Sequence, residues 1–145
     1  MRDYLFRGKR VDNGEWVYGN FVKGCVDDFA YIVEFGNKNL CRNFVEVIPE
    51  TVGQYTGLTD KNGKKIFEGD IVSRYVNRLD KRVNASVKNN TTVASWICEF
   101  FLYKDKKEVF LANRVGKNDC YIIGNIYDNP ELLKGGDGND GAGSG

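Results

Sequence analysis

The stretch PETVGQYTGLTDKNGKKIFEGDIV, residues 49–72, decides how this chain folds. It places Asp60, Asn62-Gly63 and Gly69-Asp70 between short apolar runs, and two readings compete for it. One is a catalytic or metal-binding loop built on Glu68 and Asp70. The other is a nest of tight β-turns. Hard divalent cations usually take six or more oxygen ligands, and two carboxylates alone fall well short. Turn chemistry explains every residue. Asn62-Gly63 predicts a type I′ hairpin turn between TGLTD and KKIF. Gly69 supplies unusual backbone dihedrals, Asp70 bonds its own backbone, and IVSRYV begins a strand. The stretch therefore reads as β-hairpin punctuation, with no metal site.

The same pattern continues on both sides. Asn13-Gly14 is a second hairpin signal, and EWVYGNFV (15–22) follows it with period-2 alternation. That alternation sets Trp16, Tyr18 and Val22 on one face and Val17 and Phe21 on the other. FAYIVEF (29–35), LCRNFVEVI (40–48), WICEFFLY (96–103), EVFLANRV (108–115) and CYIIGNIY (120–127) read as further strands, with a polar turn at 104–107. Helical signal is confined to one turn opening at Pro49 and another at Asn129-Pro130-Glu131, where Asn129 suits a cap and Pro130 the first position. The expected fold is mainly β: a small barrel- or sandwich-like single domain of six to nine strands built of hairpins, with one or two short helical turns. It spans residues 1–133.

Two segments depart from this pattern. NRLDKRVNASVKNNTT (77–92) is polar and Asn-rich and reads as a mobile loop. KGGDGNDGAGSG (134–145) is half glycine, has almost nothing to bury, and reads as a disordered tail.

Composition narrows the function classes. The chain has no histidine, which excludes Ser-His-Asp and Cys-His mechanisms and imidazole acid–base chemistry. Its 21 basic and 20 acidic residues leave a net charge of +1, so no global field attracts a polyanion. The four cysteines, Cys25, Cys41, Cys98 and Cys120, form no CxxC pair and read as small buried hydrophobes. MRDYLFRGKR lacks the apolar segment of a signal peptide, and no run is long enough to span a membrane. The expectation is a cytoplasmic protein with reduced thiols and without membrane partners. There is no P-loop, GxGxxG or GxSxG, and the acidic groups Asp27-Asp28, Glu46/Glu50 and Glu68/Asp70 have no diagnostic spacing. No catalytic residue and no cofactor is expected.

Two binding readings remain. The chain carries eight Tyr, nine Phe and two Trp, an aromatic supply that suits a protein-interaction surface. Trp16, Tyr18 and Tyr31 are candidates for exposure. Homo-oligomerisation would use the same surface and hide strand edges. The alternative is nucleic-acid binding through local basic density. Arg2, Arg7, Lys9 and Arg10 cluster at the start, and Arg74, Arg78, Lys81, Arg82 and Lys88 surround the 77–92 segment. If that segment is the contact surface, exchanging Arg78, Lys81 and Arg82 for Glu abolishes binding without affecting stability.

Three blocks carry a family resemblance: FRGKRVDNGEWVYG (6–19), PETVGQYTGLTDKNGKKIFEGDIV (49–72) and YIIGNIYDNPELL (121–133). In this order they resemble the YopX family of small bacteriophage and prophage proteins. The middle block is the most specific of the three. The resemblance implies a mainly β fold and a phage or prophage origin, hence the cytoplasm of a bacterial host. It implies no reaction and no catalytic residues. A class-level expectation follows: a non-catalytic accessory protein that binds a macromolecule, foremost a host protein, in a regulatory or anti-defence role. The 77–92 segment looks least like the family pattern.

Overall fold

A computed structural model of the chain describes residues 5–24, 28–34, 44–90, 95–101, 107–111 and 120–133. The glycine-rich tail, Cys25, Cys41, Arg2 and most of the polar 104–107 turn lie outside the described residues. The chain is mainly β, with two antiparallel sheets and 3-10 turns as its helical elements among the described residues. It divides into two compact units, one ending at Tyr55 and the other starting at Thr56.

The first unit contains β1 (Phe6–Lys9), β2 (Trp16–Lys23), β3 (Ala30–Glu34), β4 (Phe44–Val47) and the start of β5 (Gly53–Thr59). With β6 (Lys65–Phe67), these strands run in the order β4-β3-β2-β1-β5-β6. Alternation dictates the core. Val17, Ala30, Ile32 and Val47 are buried together, with Phe6, Phe21, Val45 and Val52 packed around them. The far end of β1 then returns to β4. Val11 N–H donates to the Glu46 carbonyl at 3.1 Å, and Ile48 N–H donates to the Lys9 carbonyl at 2.8 Å. An Arg10–Val47 bridge joins the same two segments. These contacts close β1 to β4 into a small barrel-like ring and cover an edge that would otherwise offer free backbone groups. The 3-10 turn Pro49–Thr51 follows; the buried Thr51 Oγ1 donates to the Ile48 carbonyl at 2.6 Å and accepts the Lys9 N–H at 2.9 Å.

The second unit adds β7 (Asp70–Val76), β8 (Lys81–Asn90), β9 (Ser95–Phe101), β10 (Lys107–Leu111) and β11 (Cys120–Asn125) in the order β10-β9-β8-β7-β11. Its core joins Ile66, Val72, Val83, Ala85, Val87, Cys98, Phe100 and Cys120. Cys98 and Cys120 are buried free thiols.

The structure corrects the reading of 77–92 as a polar mobile loop. Asn77–Leu79 form one 3-10 turn, Asp80 takes a left-handed φ of 54°, and Lys81–Asn90 form a strand paired on both sides. Val83, Ala85 and Val87 alternate into the core at every second position, and Asn84 and Ser86 between them turn to the opposite side of the sheet, where Ser86 is also buried. Eleven strands are present among the described residues, above the expected six to nine, because β8 and the short β1 join the count.

The hairpin turns also differ in type. A type I′ turn needs positive φ at both central residues. Among the described residues Asp80 is the only non-glycine with positive φ, so neither Asn13 nor Asn62 takes part in such a turn. Gly63 N–H donates to the Asp60 carbonyl at 3.0 Å, and Gly63, with φ 83°, supplies the left-handed residue of a three-residue hairpin loop. In the first hairpin Gly14, at φ 75°, donates to the Arg10 carbonyl at 3.0 Å, and Asn13 Oδ1 accepts the Glu15 N–H at 2.9 Å.

Candidate functional site

Residues 60–70 form a structural clasp. Asp60 is buried, and its Oδ1 accepts the N–H groups of Asn62 and Lys64 at 2.8 and 2.9 Å. Its Oδ2 accepts the Ile122 N–H at 3.0 Å, tying the hairpin loop to β11. Lys61 N–H adds a bond to the Cys120 carbonyl at 2.8 Å. Asp70 is also buried, and its Oδ2 accepts the Phe67 N–H at 2.8 Å. Between them Gly69, at φ 92°, donates to the Val87 carbonyl at 3.0 Å and accepts from Ile126 N–H at 2.9 Å. The turn residues therefore join β8 and β11 through backbone groups that would otherwise be orphaned. Both carboxylates are occupied by backbone donors. Among the described residues no group of three or more Cys, Asp or Glu is placed to hold a metal ion.

The basic residues predicted as one patch are not brought together. Arg74 is cross-strand from Val83, and Lys81 from Val76, so both lie on the side of the sheet that carries the core. Arg82 and Lys88 alternate to the opposite side. Arg82 is anchored there: Nε donates to Ser73 Oγ at 2.8 Å, an Nη donates to the Ser73 carbonyl at 3.0 Å, and the guanidinium lies 4.7 Å over the Tyr121 ring. Arg78 pairs with Glu108, and Lys88 with Glu99 at 2.6 Å. The amino-terminal cluster is engaged as well. Arg10 pairs with Asp12 at 2.8 Å, and the hydrogen bond from Arg10 holds the Asp12 carboxyl below its ordinary pKa. Arg7 is buried, its guanidinium 4.5 Å from the Trp16 ring centre, with the Lys9 ammonium at 5.6 Å.

The exposed large apolar side chains among the described residues lie mostly in the first unit, with Val109 of β10 in the second. Tyr18 is 44%, Val22 37%, Phe29 49% and Phe44 60% exposed. Val22 and Tyr31 are cross-strand partners, and the Tyr31 and Phe44 rings meet edge-on with centroids 6.5 Å apart. Trp16 and Tyr31, the other aromatics predicted at the surface, are half-buried. Alternation set Tyr18 and Val22 on one face, and Tyr18 was among the residues expected at the surface. Phe44 was hidden within a run of mixed polarity, where the inward phase is set by the strand's partners.

No helix among the described residues is long and apolar enough to cross a membrane. No curated protein matches the chain. Among solved structures, the crystal structure of protein EF1440 from Enterococcus faecalis is similar, with a TM-score of 0.54 and 22% identity over 92% of this chain and 100% of that one. At that identity the likeness shows the fold alone. The family model described as YopX protein matches residues 5–134, spanning all three motif blocks and both units, and the chain belongs to the YopX family.

Proposed function

We propose that the chain is a non-catalytic accessory protein of phage or prophage origin that acts in the bacterial cytoplasm by binding a macromolecular partner, foremost a host protein. The observation that carries this reading is the apolar character of solvent-facing positions on β2 to β4. Tyr18, Val22 and Phe44 are exposed there, with Tyr31 against Phe44. The outer side of an antiparallel sheet is ordinarily polar, and contiguous exposed apolar side chains mark interaction surfaces. The ion pairs of Arg78 and Lys88 and the two-sided placement of Arg74, Lys81, Arg82 and Lys88 weigh against a phosphate-binding patch at 74–88.

The test is affinity purification from bacterial lysate with and without nuclease, comparing the parent chain with a Tyr18→Ser/Phe44→Ser variant. A protein retained after nuclease by the parent and lost by the variant is the expected result. Retention of nucleic acid that is lost at high salt would instead restore the basic-region reading. Equal retention by parent and variant would refute the assignment of the surface.

A further inference from the structure

The sequence holds two Asn-Gly pairs, Asn13-Gly14 and Asn62-Gly63. Each sits at the tip of a hairpin, and residues 11–15 and 61–65 are exposed throughout. In such a pair the next backbone nitrogen reaches the side-chain amide most easily, because glycine puts no Cβ in the way. The space that a Cβ would fill is open at both Gly14 and Gly63.

The two attacking nitrogens are held alike. Gly14 N–H donates to the Arg10 carbonyl and Gly63 N–H to the Asp60 carbonyl, each at 3.0 Å. The side-chain amides differ. Asn13 Oδ1 accepts the Glu15 N–H at 2.9 Å, so turning that amide toward Gly14 breaks a bond. The Asn62 amide makes no hydrogen bond among the described residues; its backbone N–H alone is engaged, on Asp60 Oδ1 at 2.8 Å. Charge acts in the same direction. The nitrogen attacks as its anion, which the adjoining Lys61, Lys64 and Lys65 favour, whereas Glu15 and the Arg10-paired Asp12 flank Asn13.

We infer that Asn62 is a site of spontaneous deamidation whose product opens the Asp60 clasp. The Gly63 nitrogen gives its proton to solvent base and attacks Asn62 Cγ. The bond from Cγ to the side-chain nitrogen breaks, and ammonia leaves. Water then opens the resulting succinimide at either carbonyl, giving aspartate or isoaspartate. One water enters, one ammonia departs, and nothing is oxidised or reduced. Isoaspartate lengthens the backbone by one methylene between the Asn62 and Lys64 N–H groups, which share Asp60 Oδ1. Both products add a negative charge beside that buried carboxylate, whose other oxygen holds Ile122 of β11. The chemistry does not depend on the binding role proposed above.

The test incubates native and urea-unfolded full chain side by side in mildly alkaline buffer. Peptide mass spectrometry follows the replacement of NH2 by OH at each asparagine. In the native chain Asn62 should react about fivefold faster than Asn13, the factor that one ordinary hydrogen bond is worth. In urea the two rates should converge. Equal native rates, a faster Asn13, or an inert native Asn62 under conditions where the unfolded chain reacts overturns the assignment of the site. The urea midpoint of the aged protein should fall in step with isoaspartate at 62. An Asn62→Gln chain, whose longer side chain disfavours the five-membered ring, should keep its midpoint on ageing. An unchanged midpoint in parent protein carrying isoaspartate at 62, or an equal fall in Asn62→Gln, overturns the link to the clasp.

Discussion

The backbone N–H of Ile122 donates to Asp60 Oδ2 at 3.0 Å, joining two residues 62 positions apart in the chain. The other oxygen of the same carboxylate holds the Asn62 and Lys64 N–H groups. One buried side chain thus shapes a hairpin loop and fixes the last strand to it. Satisfying three backbone donors in a buried setting matters because each donor left unpaired costs on the order of 1–3 kcal/mol.

Asp60→Ala is therefore expected to destabilise the protein by about 2–4 kcal/mol, since three donors lose their acceptor at once. Asp60→Asn should cost less, because its remaining oxygen can still serve Asn62 and Lys64. Urea unfolding of the two variants tests the ranking. Equal stability of Asp60→Ala and the parent would show that the clasp contributes nothing.

Gly69→Val should lower stability by about 2 kcal/mol or more. The position has φ 92°, which a β-branched residue tolerates poorly, and a Cβ there would lie 3.1 Å from the Tyr127 ring. An unaltered melting temperature would mean that Gly69 does not take this conformation in solution.

Arg82 and Lys88 should separate in effect. Arg82→Ala removes two hydrogen bonds to Ser73 and a stack on Tyr121, a loss of about 1–2 kcal/mol. Lys88→Ala removes an exposed ion pair, a change within about 0.5 kcal/mol. The triple exchange of Arg78, Lys81 and Arg82 for Glu should consequently lower the melting temperature, against the sequence-based expectation of unchanged stability. Denaturant midpoints of the three proteins decide between them.

Burial, helped by the neighbouring Cys120 and partly offset by Arg74, pushes the Cys98 thiol up to about 12. Below the unfolded thiol's ordinary value, near 9.0, its contribution to stability is fully present. As pH rises from there toward about 12, the unfolded chain ionises first and that contribution is lost. The urea midpoint should thus fall across this interval more steeply in the parent than in Cys98→Ala. Iodoacetamide should label Cys98 only after unfolding, and rapid labelling of the native protein would contradict its burial.

Phe44→Ser and Ile32→Ala should have opposite consequences. Ile32 is fully buried, so its truncation should cost about 2–5 kcal/mol. Phe44 is mostly exposed, and Phe44→Ser should leave the melting temperature nearly unchanged while affecting partner capture. A large loss of stability in Phe44→Ser would place that ring in the core and remove it from the proposed surface.

Much of the β architecture was legible because period-2 alternation is a local signal. Val17 and Phe21 turn inward and Tyr18 and Val22 outward, as their spacing requires. β8 was missed although Val83, Ala85 and Val87 keep the same period. Its intervening Asn, Ser and Lys residues have low β-propensity and mask a weak apolar series, and pairing with both β7 and β9 overrides that propensity. The turn type at Asn62-Gly63 was misread for a related reason. The dipeptide favours type I′, but the Asp60 carboxylate binds the Asn62 and Lys64 N–H groups and selects the longer loop.

By itself, the sequence determined the β class, most sites of chain reversal, the division of β2 into two faces and the absence of imidazole chemistry. Each of these depends on residues a few positions apart or on composition. Only the tertiary structure decided that Asp60 and Asp70 serve backbone donors, that the basic residues divide between two sides of a sheet, and that Phe44 stands beside Tyr31. Those facts depend on strand register and on contacts between residues such as Asp60 and Ile122, and no local pattern encodes which distant segment will complete a hydrogen bond.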